Sequence, residues 1–132
     1  MSKATHKSGF RKRAKARVTM AAGEGKITIN GVGLSQWGNP LNRARIMEPV
    51  LLAGDAGKKI DISVRANGGG TTGQSDAIRL AIGRALAQQH DKLKQVFLEY
   101  DRQLIVADVR RKESAKPNSH GQARSKTQKS YR

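Results

Sequence analysis

Residues 68–86 read GGGTTGQSDAIRLAIGRAL, three glycines at the end of a strand-like run followed at once by a helix-like one. From Ile78 the apolar residues Ile78, Ala81, Ile82, Ala85 and Leu86 fall at i, i+3, i+4, i+7 and i+8. That spacing places one buried stripe on a helix of period 3.6, with Arg79, Arg84 and Gln88 on its other faces. Glycine lets a backbone approach a partner closely, and a helix N-terminus presents unpaired N–H groups to an anion. Two readings stand: a first turn that meets phosphate, or a tight strand-to-helix turn with no ligand. A Walker-type loop needs Lys and Ser or Thr after its last glycine, whereas Gln74 and Ser75 follow Gly73. The G-x-G-x-x-G pattern is not met either, and no acidic ribose partner is evident.

Working outward, residues 59–66 form the clearest strand, with Ile60, Ile62 and Val64 alternating with Asp61, Ser63 and Arg65. A second alternation puts Ala14, Ala16, Val18 and Met20 on one face and Arg13, Lys15, Arg17 and Thr19 on the other. Its cationic face either binds a polyanion or guards a solvated edge strand against aggregation. Residues 22–25 are a turn, and residues 26–30 a short strand with Ile27 and Ile29 inward, closed by Asn30-Gly31. Residues 32–38 read as irregular, with Trp37 a core plug rather than a stacking platform. Asn39-Pro40 begins a helix, Asn as N-cap and Pro at the first helical position. Leu41, Ala44, Met47, Val50 and Leu51 supply its stripe, Pro49 is expected to kink or restart it, and residues 53–58 form a loop.

After the central helix, Leu93, Val96, Phe97 and Tyr100 have the spacing of a short third helix, and residues 104–106 an extended apolar segment. Residues 1–10 show no periodicity and read as a flexible lead-in. Beyond Val109 there is no Ile, Leu, Val, Phe, Met or Trp. Such a tail cannot bury enough surface to offset its ordering entropy, so its order must come from a partner. The predicted organisation is a basic N-terminal arm over residues 1–12, a globular α/β domain over 13–108 and an extended basic tail over 109–132. The element pattern argues a two-layer α/β sandwich, for which a right-handed crossover is the default.

The net charge of +16 on 132 residues is concentrated at the ends. Residues 1–19 carry seven Lys or Arg and no acid, residues 110–132 eight and only Glu113, and residues 20–109 eleven against nine acids. Two basic arms on a near-neutral body favour a polyanion, most plausibly nucleic acid. An anionic membrane is the rival, but neither arm has the Leu, Phe or Trp face of an interfacial helix, and no apolar run reaches a membrane-spanning length. The absence of cysteine excludes disulfides and thiolate metal sites, and the basic N-terminus lacks the apolar segment of a secretion signal. His6, His90 and His120 are scattered, Asp61 and Asp76 read as surface or capping carboxylates, and neither catalysis nor a cofactor is expected. Few aromatic residues argue against a stacking sheet and for recognition of the shape and backbone of folded RNA.

The ordered segments Gly9 with Arg11-Lys12, Ala16-Arg17-Val18, Gly23-x-Gly25-Lys26-Ile27-x-Ile29-Asn30-Gly31 and Glu48-Pro49-Val50-Leu51-Leu52 resemble the universal small-subunit ribosomal protein nine family. The resemblance continues through Gly68-Gly69-Gly70, Gly73-Gln74, Ala77-Ile78-Arg79, Ala81-Ile82, Arg84-Ala85-Leu86 and Tyr100-Asp101-Arg102. The closing Gln128-Lys129-Ser130-Tyr131-Arg132 is similar to the archaeal and eukaryotic branch. This implies a mixed sheet backed by two long helices, with a left-handed β-α-β crossover. It further implies a cytoplasmic ribosomal protein in the head of the small subunit, bound to small-subunit rRNA and neighbouring ribosomal proteins and not a homo-oligomer. The family's tail threads through RNA and its terminal Arg touches the anticodon stem-loop of peptidyl-site tRNA, so the tRNA-contacting residues implied here are Tyr131 and Arg132. Tyr131 either stacks on a base or covers its neighbour.

With the charge pattern, the expected rRNA-binding residues are Arg11, Lys12, Arg13, Lys15 and Arg17; Gly68, Gly69, Gly70, Gly73, Gln74 and Arg79; and Arg110, Arg111, Lys112, Lys116, Arg124, Lys126 and Lys129. The chain departs from the family's pattern at Arg13 and Lys15, commonly Thr and an aliphatic residue, and at Val109, commonly Pro. Residues 117–122 replace a Gly-rich, Phe-containing stretch, which leaves the tail's path open. The rival functions are a free-standing basic RNA chaperone or nucleoid-type binder, and a phosphate-loop nucleotide enzyme, against which the missing Lys after Gly73 counts.

Overall fold

A computed structural model describes residues 4–117 and 123–124. Strand β1 (Thr5–Arg11) turns through Lys12-Arg13 into β2 (Ala14–Ala22); β3 (Ile27–Ile29) and β4 (Val32–Gly33) follow as a short hairpin. Helix α1 (Pro40–Ala53), a four-residue turn α2 (Asp55–Lys58), strand β5 (Ile60–Asn67), helix α3 (Thr71–Gln89) and helix α4 (Asp91–Tyr100) complete the body. The five strands form one mixed sheet in the order β1-β2-β5-β3-β4, antiparallel except for the parallel β3–β5 pair. Parallel strands require a crossover, and α1 lies on the one that joins β3 to β5.

One face of the sheet is covered and the other open. Ala14, Ala16, Val18 and Met20 of β2 and Ile60, Ile62, Val64 and Ala66 of β5 are buried against α3, as their alternation predicts. Ile78, Ala81, Ile82, Ala85 and Leu86 are wholly buried. The burial of α3 extends beyond that stripe to Ser75, Ala77 and Leu80, because α1 and α4 pack on flanks the sheet leaves free. Each fully buried Ile or Leu contributes roughly 1.5–3 kcal/mol relative to exposure.

The local signals at turns and caps hold. Asn30 and Gly31 both adopt positive φ (53° and 82°) in the β3–β4 turn, and the Asn30 amide exchanges two hydrogen bonds of 2.9 Å with the backbone of Ala66. The Asn39 side chain accepts the Asn42 N–H at 2.8 Å, capping α1 with Pro40 in its first turn. Trp37 is half-buried against the core.

Several expectations are corrected. Residues 5–11 are not a lead-in but edge strand β1, in register with β2 from Thr5↔Met20 to Arg11↔Ala14. This strand carries no apolar alternation because its contact with α3 is made by backbone: a Cβ on Gly9 would collide with the Ala77 carbonyl oxygen and the Ala81 N–H. In α1 the buried residues are Asn42, Ile46, Pro49 and Val50, whereas Leu41 and Leu51 are 63% and 70% exposed. Asn42 is inward because its Oδ1 accepts from Ser75 Oγ of α3, and Pro49 lies inside an unbroken helix, its ring in the core. Residues 55–58 are helical rather than loop, and residues 32–33 form β4. Of the α4 stripe only Phe97 is fully buried and Leu93 half-buried, with Val96 and Tyr100 exposed. Residues 102–104 make a 3-10 turn that buries Leu104, not an extended segment. From residue 107 to 116 the chain has no regular secondary structure.

Candidate nucleic-acid interface

At one end of the sheet three segments distant in sequence converge on an open cleft of about 1040 Å³. The β1–β2 turn contributes Arg11, Lys12 and Arg13. The loop into α3 and its first turns contribute Gly69, Gly70, Thr72, Gly73 and Asp76, and the root of the tail contributes residues 110–115. Among the lining residues are six Arg or Lys, with Asp76 and Glu113 the only acids. Asp76 is already engaged, accepting from Arg45 Nη1 at 3.2 Å. Lys12, Arg13 and Lys112 form no ion pair among the described residues.

The glycines are explained by packing in the first instance. Gly68 and Gly69 have φ of 74° and 60°, a region glycine enters at no steric cost. A Cβ on Gly68 would collide with the Arg13 carbonyl oxygen, and one on Gly69 would lie 3.1 Å from Ala14. These two residues therefore lock the loop against the β1–β2 turn. Gln74 Nε2 donates to the Gly68 carbonyl at 3.0 Å and holds the loop to α3. Gly70 begins the helix with no side-chain cap, so the N–H groups of the first turn, beside Thr72 and Gly73, lack intrahelical acceptors. The structure shows the tight packed turn of the second reading, and a helix start without a side-chain cap.

The tail root is tied to this turn. Arg110 forks onto Asp108 through Nε (3.0 Å) and Nη2 (2.7 Å), and Arg11 Nε lies 3.4 Å from the same carboxylate. The Arg110 side chain and backbone N–H, with Arg11 beside them, hold Asp108 far below the usual carboxylate range. Arg111 donates to the Lys12 carbonyl oxygen, and its guanidinium sits 4.7 Å from the centre of the Phe10 ring, a cation–π contact. Arg84 Nε donates to the Ile105 carbonyl (2.9 Å) and Nη1 to that of Ser8 (3.2 Å), bracing β1 and the start of the tail from α3. Farther out, Lys116 and Arg124 meet Glu113 at 2.8 Å and 2.6 Å and lower its pKa. Lys126, Lys129, Tyr131 and Arg132 lie outside the described residues.

One expected contact residue has other surroundings. Arg79 points inward, its side chain 11% exposed, and donates from Nε and Nη2 to Glu48 of α1 (3.0 and 2.6 Å) and from Nη2 to Asp101 after α4 (2.9 Å). Burial pushes its pKa down, but the two carboxylates outweigh that and raise it. For Asp101 burial pushes up, while the Gln103 N–H and Arg79 bring it below its ordinary value. Asp61 turns out to be a loop-holding carboxylate: its Oδ1 accepts the backbone N–H groups of Lys26 (3.0 Å), Glu24 (2.9 Å) and Gly25 (3.1 Å), which depress its pKa.

Lys15 and Arg17 lie on the open sheet face, apart from the cleft, and β2–β5 pairing sets Arg17 directly opposite Arg65. Arg65 was not among the expected contacts, although its alternation with Val64 already placed it outward; the register that joins it to Arg17 carries no local signal. Phe10 and Asp108, which seat Arg111 and Arg110, were equally silent. Among the described residues no group of His, Cys, Asp and Glu is arranged to hold a metal ion, and no helix is long and apolar enough to cross a membrane.

Comparison with known proteins matches a family described as Ribosomal protein S9/S16 to residues 9–132. The chain is 48% identical over 127 residues to "Small ribosomal subunit protein uS9" of Thermoplasma volcanium, covering 95% of this chain and 96% of that one. It is 44% identical over 133 residues to the protein of the same name from Methanococcus vannielii, covering 98% and 99%. The similarly named protein of Picrophilus torridus is 43% identical over 128 residues.

Proposed function

The chain belongs to the ribosomal protein S9/S16 family, structural and non-enzymatic components of the ribosome, and on that footing we propose that it binds and organises small-subunit rRNA in the head of the cytoplasmic small subunit. Its proposed partners are that rRNA, neighbouring small-subunit proteins and peptidyl-site tRNA, with one copy per subunit and no homo-oligomer. The single observation that carries the reading is the convergence of the β1–β2 turn, the glycine loop and the tail root on one cationic cleft. Lys12, Arg13 and Lys112 neutralise phosphates there and release counterions, a sequence-independent source of affinity. The loop glycines and Gln74 place the α3 N-terminus where phosphate meets unpaired N–H groups. The β3–α1–β5 connection is the unit in which the family's left-handed crossover would lie.

The tail, with Lys116, Arg124, Lys126 and Lys129, follows RNA from this cleft, and its tip, Tyr131 and Arg132, reaches the anticodon stem-loop. Tight turns and arginine forks at the root support this by giving the tail a fixed point of departure. The test is co-sedimentation of the tagged protein with ribosomal subunits after a high-salt wash. Salt strips loosely held cations from RNA but not a protein threaded into a folded subunit. One copy per small subunit surviving the wash supports the reading; release, with equal affinity for arbitrary RNA, refutes it in favour of a chaperone. Removal of residues 129–132 should weaken peptidyl-site tRNA binding and leave assembly intact; normal tRNA binding would refute the role of the tip.

A further inference from the structure

Helix α1 is apolar on the side it turns to solvent as well as on the side it buries. Pro40, Leu41, Ala44 and Leu51 are exposed. Its three charged residues are engaged within the chain: Arg43 donates to the Ser35 carbonyl at 2.8 Å, Arg45 to Asp76 at 3.2 Å, and Glu48 accepts from Arg79. A helix apolar on all sides is normally a buried one. An open groove of about 760 Å³ runs beside it, lined by Met47 and Leu51 of α1 and, from the β3–β4 region, by Ile27, Gly33 and Leu34. Gly33 belongs to β4, the edge strand on this side of the sheet, and nothing within the chain requires glycine there. Its φ and ψ of −62° and 147° suit any residue, and a Cβ would meet no atom of the described residues nearer than 4.0 Å. A strand glycine without an internal reason marks a place where another backbone comes close.

We propose that this groove is the docking site of an apolar segment of a neighbouring small-subunit protein, whose backbone approaches Gly33 and whose side chains cover Leu51. The proposal rests on the small-subunit reading above and deepens it by naming the surface through which a protein partner is met. Within a small subunit a neighbour is RNA or protein, and charge decides between them. The cleft sets six Arg or Lys against two acids, whereas the groove has Lys26 and Lys58 against Glu24. Affinity for phosphate grows with the number of cations that neutralise it, while a near-neutral apolar surface with a few charges at its rim matches the make-up of a protein interface. The groove is also remote from the cleft. Lys58 of the groove comes just before β5 and Gly69 of the cleft just after it, and the eight residues of β5, at about 3.3 Å each, place about 25 Å between them. One end of the body takes RNA and the other takes protein.

The experiment uses the full tagged chain with the photo-crosslinking residue benzoylphenylalanine in place of Ser35 or of Lys58, both exposed residues on the rim of the groove. Salt-washed small subunits containing the chain are irradiated, treated with nuclease, and the attached species identified by peptide mass spectrometry. Both positions should yield a nuclease-resistant adduct with the same small-subunit protein. An adduct with rRNA, an adduct with a second copy of this chain, or no adduct overturns the proposal. Leu51→Glu, introduced beside the Ser35 probe, should lower the yield of that adduct at least about 10-fold, since it removes an apolar group from the contact. It should leave the melting temperature of the free chain unchanged, because Leu51 is 70% exposed there. Gly33→Ala should likewise lower the yield while leaving the free chain as stable or more so. An unchanged yield in both variants overturns the proposal. A melting temperature that falls in both also overturns it, since the two residues would then pack within the chain. Co-sedimentation of the unmodified chain with small subunits tests the underlying reading independently: a chain that survives the salt wash and gives no protein adduct fails on the groove alone.

Discussion

Replacing Arg79 with Gln separates a structural role for this arginine from a phosphate-binding one. Its guanidinium makes three hydrogen bonds to Glu48 and Asp101 and joins α1, α3 and the turn after α4 at one point. Loss of one partner from a buried ion pair costs roughly 3–5 kcal/mol. Here the carboxylates are 33% and 39% exposed, so water recovers part of what they lose, and about 2 kcal/mol is the expected cost. For a folded body of this size that corresponds to a melting temperature lower by about 8 °C. Urea unfolding followed by circular dichroism measures the first quantity and a thermal scan the second. The salt slope of RNA binding should stay unchanged in the folded variant. Stability unaltered within about 0.5 kcal/mol, together with a slope lowered by about 0.9, would refute the reasoning and return Arg79 to the RNA contacts.

Gly9→Val should push β1 off α3, because its side chain has no space beside the Ala77 carbonyl and the Ala81 N–H. The expected result is a loss of at least about 2 kcal/mol and fast amide exchange in residues 5–11, measured by mass spectrometry. Asp61 has a lowered folded pKa, so its contribution is complete above the unfolded value of about 3.9 and is lost as pH falls through the folded one. The stability difference between the natural chain and Asp61→Asn should be flat from about pH 7 to 5 and shrink below about pH 4, read from urea midpoints. Ile82→Asp buries an unpartnered carboxylate in the centre of α3 and should remove the protein from small subunits on a sucrose gradient; normal incorporation would show that this face is not core.

The cationic cleft was legible in part. The cations of residues 11–13, the glycine loop and the basic tail could each be read from the sequence, and the structure adds that residues 12–13 form the β1–β2 turn and that all three adjoin. The close packing of the loop was also foreshadowed, since glycine lets one backbone approach another. The opposition of Arg17 and Arg65 was not legible, because strand register is a property of two segments 48 positions apart. Arg79 misled because an arginine off the apolar stripe reads as solvent-facing until a second helix brings a carboxylate to it.

By itself the sequence determined β2, β5 and α3, where apolar residues recur at the period of the element, and the Asn30-Gly31 turn and Asn39 cap, where the residue type itself suits the positive φ or supplies the local acceptor. It also determined the basic ends, since charge needs no fold to be counted. Only the tertiary structure decided that residues 5–11 form a strand, whose packing is through backbone and a missing Cβ at Gly9. It decided the phase of α1 as well: Asn42 and Pro49 are inward because α3 offers a hydroxyl to the one, and the core covers the ring of the other. Periodicity states which residues share a face. Which face is buried, and which charges meet, depends on the surface brought against it.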